Sequence, residues 1–186
     1  MKKIELNLVA LTNSESQVGQ FALVLEDVDM KRRIPITIGA AEAQSIAMVV
    51  EKMKPLRPQT HDLFLHTIEA LGARLEEVVI DEIIDDHYHA KLIFAKGPEK
   101  ISIDSRTSDA IALAVRFECP IYTFDSVLSQ TGFTVDTEGL PIDKRGSFIN
   151  FPLKELEDLL EKVLKKEDYK SASRIRDAIN KKKLQG

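Results

Sequence analysis

The chain has a single cysteine, Cys119, and no tryptophan. A lone cysteine cannot close an internal disulfide, which excludes a cross-linked framework and points to a reducing, cytoplasmic setting. Phe117 and Pro120-Ile121 around it suggest a small buried hydrophobe rather than a reactive thiol. No apolar run approaches the roughly 20 residues of a membrane helix. The opening Met1-Lys2-Lys3-Ile4-Glu5 returns to charge before any apolar stretch of signal-peptide length. A glycine-rich phosphate loop, a Cys cluster and an HExxH motif are all missing, so nothing suggests a nucleotide cofactor. Positive charge is also short, with 26 Lys and Arg against 30 Asp and Glu. Residues 152–186 carry ten basic against seven acidic side chains, leaving 16 against 23 and a net of −7 for residues 1–151. A domain that held nucleic acid mainly through its phosphates would be basic. Any such activity here must rest on a local basic strip or on bound metal.

What is present reads as an α+β domain, a linker and a helical hairpin. Ile4, Leu6, Leu8 and Ala10 alternate with polar residues, the period of a half-buried strand. Phe21–Leu25 and the alternating Ile34, Ile36 and Ile38 give two more. A helix is expected over Ala40–Met53, closed by Pro55 and Pro58, and a second from an N-cap at Thr60 to about Leu71. Strands at Leu75–Ile84, Tyr88–Ala95 and Lys100–Asp104 precede a helix over Ser108–Phe117, a strand at Pro120–Phe124 and another helical turn. Runs of strands between helices predict a mixed, largely antiparallel sheet with helices packed on it. The expected divisions are 1–131 for this domain, 132–151 for a linker punctuated by Gly139, Pro141 and Gly146, and 152–186 for the hairpin.

Three segments go beyond generic pattern. They are Ile34-Pro35-Ile36-Thr37-Ile38-Gly39 with Glu42-Ala43, then Arg57-Pro58-Gln59-Thr60-His61-Asp62-Leu63, then Ile103 through Ala114 ending at Arg116. Together they resemble the bifunctional nuclease domain family, named for members that degrade both RNA and DNA, over about residues 5–130. One departure is Thr107, where the family usually has Pro; both suit a helix start. The resemblance implies phosphodiester hydrolysis.

That chemistry needs an activated water, a stabiliser for charge on the phosphoryl oxygens and help for the leaving oxygen, and carboxylates holding a divalent metal are one solution. The motifs offer Glu42, His61, Asp62 and Asp109 as catalytic candidates. Asp62, Asp104 and Asp109 are candidate ligands for a divalent metal such as Mg or Mn. Arg57, Arg106 and Arg116 could hold phosphate by bidentate hydrogen bonding. Most of them have a plainer account. Glu42, Asp62 and Asp109 fall in first helical turns, where a carboxylate stabilises the dipole. Arg106 and Arg116 could pair with nearby acids, and Asp104 could be a solvated strand residue. His87 and His89 share one strand face and could ligate metal, or simply face water.

In the tail, Leu156, Leu160, Glu167-Asp168-Tyr169, Ala172, Arg176-Asp177 and Ile179 resemble the UvrB/UvrC motif, a helical hairpin used for protein pairing. Leu153, Leu156, Leu160 and Val163 form one narrow apolar seam, and Tyr169, Ala172, Ile175 and Ile179 a second. Helices this short depend on packing, so the resemblance and the seams imply pairing with another such hairpin or a second copy through Leu156, Leu160, Tyr169, Ala172, Ile175 and Ile179. Two functions remain from the sequence. One is a metal-assisted nuclease acting on RNA or DNA; the other is a non-enzymatic adaptor that binds a ligand or protein.

Overall fold

The computed structural model describes residues 2–14, 19–28, 32–131, 133–135, 141–142, 153–165 and 168–183. They fall into two compact units, Met1–Gly132 and Phe133–Gly186. The first unit contains strands β1 (Lys3–Asn13), β2 (Phe21–Asp27), β3 (Arg32–Ile38), β4 (Arg74–Ile84), β5 (His87–Lys96), β6 (Glu99–Arg106) and β7 (Ile121–Phe124). Its helices are α1 (Ala40–Val50), α2 (Thr60–Ala70), α3 (Thr107–Phe117) and α4 (Asp125–Thr131). Within this unit the strands lie in the order β6-β5-β4-β7-β1-β2-β3. β4 runs parallel to β7, and the other pairings described here are antiparallel. The unit is the α+β layer that the runs of strands predict.

Alternation builds the core. Leu6, Leu23, Leu25, Ile34, Ile36 and Ile38 are buried, while their polar neighbours on β1 and β3 face out. Each such side chain contributes about 1.5–3 kcal/mol when fully buried. α3 is the pivot of the helical layer. Ala110, Ile111, Ala112, Leu113, Ala114 and Phe117 are all buried, as expected of a helix covered on most of its faces. It packs on β4, β5 and β6 and also against α1 and α2. Thr107 begins it with a hydroxyl that donates to the Tyr88 carbonyl at 2.7 Å, so this helix start is tied to β5.

Three of the boundaries that differ from the sequence reading have a local cause. α1 stops at Val50 rather than Met53, because Lys52 adopts a left-handed φ of 56° and turns the chain out. Gln59, not Thr60, caps α2, and its N–H donates to the Asp62 carboxylate at 2.8 Å. β6 runs on to Arg106, so Asp104 lies inside it; Ile101 and Ile103 are exposed on this outer strand along with their polar neighbours. Cys119 is half-buried, and burial pushes its thiol up to about 11, which fits an unreactive filler. No described helix is long and apolar enough to cross a membrane.

In the second unit, β8 (Phe133–Val135) pairs antiparallel with β9 (Pro141–Ile142), followed by α5 (Leu153–Lys165) and α6 (Tyr169–Lys183). Apart from that short ladder, the linker read over 132–151 lies outside the described residues. The Asp168 carboxylate accepts the Ser171 N–H at 3.1 Å and caps α6. Leu156, Val163, Ala172, Ile175, Ala178 and Ile179 bury one another. The two seams therefore meet inside the hairpin, whereas the sequence reading offered six of their residues to a partner, four of which (Leu156, Ala172, Ile175 and Ile179) are buried here. Tyr169, 70% exposed, and Leu164, 39% exposed, stay outside it.

Candidate active site

Three helix N-termini supply the site. Gly39 caps α1 and leaves Glu42 in its first turn, Gln59 caps α2 ahead of His61 and Asp62, and Arg106 caps α3 ahead of Asp109. Each N-terminus carries roughly half a positive charge, which suits a carboxylate and equally an incoming anion. Glu42, His61, Asp104, Arg106 and Asp109 all line one cavity of about 870 Å³. With His61 neutral these side chains sum to −2, which the three helix ends largely offset.

The polar groups form a continuous chain. Arg106 donates from Nε to Asp109 Oδ2 at 2.7 Å and from Nη2 to Oδ1 at 3.2 Å. Its Nη2 also stands 3.2 Å from Glu42 Oε1. The hydrogen bond to Asp109 and the nearby Glu42 raise the Arg106 pKa further, so this guanidinium stays charged. His61 Nε2 lies 3.3 Å from Asp109 Oδ1, and His61 Nδ1 lies 2.9 Å from Ser45 Oγ. Asp109, paired with Arg106, is an acceptor only. A neutral His61 therefore places its proton on Nε2, and the Ser45 hydroxyl donates to Nδ1.

Ser45 is the residue that sequence reasoning missed. It is buried in α1, three residues after Glu42 and so on the same face. The available signal was weak, a small polar side chain next to Gln44 and ahead of Ile46 and Ala47. Its partner His61 is 16 positions away in the chain, and that contact is tertiary.

Not every candidate joins the cluster. Asp62 does not line the cavity; Arg116 Nε donates to its Oδ1 at 2.7 Å, and Arg116 also donates to the Ala112 carbonyl at 2.9 Å. Burial alone would raise the Asp62 pKa, but the Gln59 N–H and the Arg116 guanidinium outweigh it and hold the carboxyl below its usual range. Arg57 is exposed on the α1–α2 connection and is not part of the lining. His87 and His89 line a neighbouring cavity of about 990 Å³, which shares Glu42, Asp104 and Arg106 with the first. Glu42, Asp104 and Asp109 are the hard oxygen donors that Mg or Mn takes. As arranged they do not fit an ion, because Arg106 occupies two of them. Among the described residues no three His, Cys, Asp or Glu side chains are gathered to hold one.

The geometry can be set beside known proteins. Residues 23–136 match the family model described as Bifunctional nuclease domain. The chain belongs to the bifunctional nuclease domain family. An uncharacterised protein of Mycobacterium tuberculosis is 37% identical over 134 residues, 72% of this chain and 79% of that protein. Bifunctional nuclease 1 of Oryza sativa subsp. japonica is 27% identical over 105 residues, covering 55% of this chain and 32% of the plant protein. Bifunctional nuclease 2 of the same plant is 27% identical over 124 residues, 64% of this chain and 38% of that protein. The chain thus spans about a third of the length of these plant relatives.

Proposed function

We propose that the chain hydrolyses phosphodiester bonds of RNA or DNA at the His61–Asp109–Arg106 cavity. The observation that carries the reading is the meeting of three helix N-termini around a histidine held at both ring nitrogens, in a chain of this family. Arg106 is mostly exposed and can pass from the carboxylates to two phosphoryl oxygens as a fork. Its departure frees Asp109, which continues to orient His61. His61 then takes the attacking water's proton at Nδ1, where the Ser45 hydroxyl that holds the ring at rest gives way to that water, and returns it to the leaving oxygen while Nε2–H stays on Asp109. Once Arg106 has left the carboxylates, Glu42, Asp104 and Asp109 would be the residues to hold Mg or Mn, and the ion would supply positive charge against the phosphoryl oxygens.

The test is purified protein with end-labelled single-stranded RNA and DNA, in Mg or Mn and again with chelator. Cleavage that chelator abolishes is the expected result. Binding without cleavage under every condition would favour the adaptor. That rival draws on one observation, the location of Glu42, Asp62 and Asp109 in first helical turns where each also serves its helix.

For the second unit we propose pairing with another UvrB/UvrC-type hairpin or a second copy. The exposed Leu164 and Tyr169 and the half-buried Leu160 support it, since the hairpin's own core does not need them fully. A single unreactive cysteine supports a cytoplasmic setting.

A further inference from the structure

The cavity beside Arg106 contains apolar surface that bond cleavage does not use. Phe64 and Ile103 line it, and they are 45% and 46% exposed. Phe64 follows His61 by three residues on α2, so its ring lies on the same helix face as the imidazole. Ile103 lies on β6, three residues before Arg106. An exposed aromatic ring and an aliphatic side chain beside a guanidinium suit a ligand that is flat, apolar on its faces and anionic at one end. The second cavity, lined by His87 and His89, adjoins the first at Glu42, Asp104, Ser105 and Arg106. Both volumes lie within the range of about 300–1,000 Å³ usual for ligand pockets.

We infer that the first cavity binds one unstacked base of a single-stranded nucleic acid. Phe64 is the stacking platform, Ile103 a side wall, and Arg106 the contact for the phosphate that leads to the next nucleotide in the second cavity. Stacking tolerates any base, because every base has a π-face, so this site selects strandedness and not sequence. A duplex keeps its bases paired and cannot offer one to the ring without an unpairing cost. The inference rests on the phosphodiester reading of the site and adds its substrate class.

The chain has no tryptophan, so Phe64→Trp installs a single reporter at the proposed platform. The probe is a single-stranded DNA tetranucleotide with phosphorothioate linkages, titrated into the full chain in magnesium buffer, with binding also followed by anisotropy. Emission from the Phe64→Trp protein should be quenched to saturation, and the same four bases held within a longer blunt-ended duplex should bind about tenfold or more weakly. Phe64→Leu keeps apolar surface without a ring and should lose about tenfold in affinity. Binding with unquenched emission, Phe64→Leu binding at the parent's affinity, or a duplex that binds equally would each overturn the base site. Quenching in a protein that never cleaves leaves the base site standing and removes the nuclease reading. Cleavage by the parent with unquenched emission does the reverse.

Discussion

At the scale of single residues, His61 is defined by its two partners. Ser45 acts through His61 and is a positioning residue, so its removal has a distinct signature. Ser45→Ala leaves His61 Nδ1 without its donor and should lower kcat in part, with KM little changed and the pH–rate profile displaced. Ser45→Thr keeps the hydroxyl and should recover much of the loss; equal profiles for parent and Ser45→Ala would make Ser45 purely structural. Asp62 belongs to stability. Arg116 is almost wholly buried against it, and Asp62→Asn should cost about 1–3 kcal/mol in denaturant unfolding. The pH dependence follows from the lowered carboxyl pKa. Its contribution is present above the ordinary Asp range of about pH 4 and is lost as pH falls through the lower folded value. The parent should therefore lose more stability than Asp62→Asn as the pH drops below about 4.

At the scale of elements, the site depends on where helices begin. Gly39 has an ordinary φ of −73°, so its backbone needs no glycine, but a Cβ there would stand 2.5 Å from Glu42 Oε2. Gly39→Ala should displace the Glu42 carboxylate from Arg106 while α1 stays folded, since the far end of a side chain moves easily. The expected outcome is a changed cleavage rate with a melting temperature within a few degrees of the parent; an unchanged rate would remove Glu42 from the mechanism. Helix starts were largely legible in the sequence, because caps and prolines are local signals. The end of α1 at Lys52 was not, since a left-handed turn at a lysine carries no local mark. The motif segments named Glu42, His61, Arg106 and Asp109, which the fold gathers, together with Asp62 and Arg116, which it turns toward each other. Only the tertiary packing of α2 against α3 separates these two groups. β6 also escaped a full reading, because an outer strand exposed on both faces has no burial period to follow.

At the scale of the whole molecule, two units divide the work. The hairpin spends Leu156, Ala172, Ile175 and Ile179 on its own interior, so Ile175→Asp should unfold it at a cost of about 3 kcal/mol or more. A Leu164→Asp, Tyr169→Asp double variant should instead stay helical and lose self-association or hairpin partners in sedimentation and pull-down. If that variant keeps the parent's mass and partners, these exposed residues do not form the interface. The proposed cleavage of a phosphodiester at His61 belongs to the first unit. The direct measurement is the single-turnover cleavage rate of an end-labelled single-stranded oligonucleotide by the parent and by folded His61→Ala. A parent rate that falls by about 10²–10⁴ in His61→Ala is the predicted result, whereas equal rates in the two proteins, or no cleavage by the parent, would contradict it.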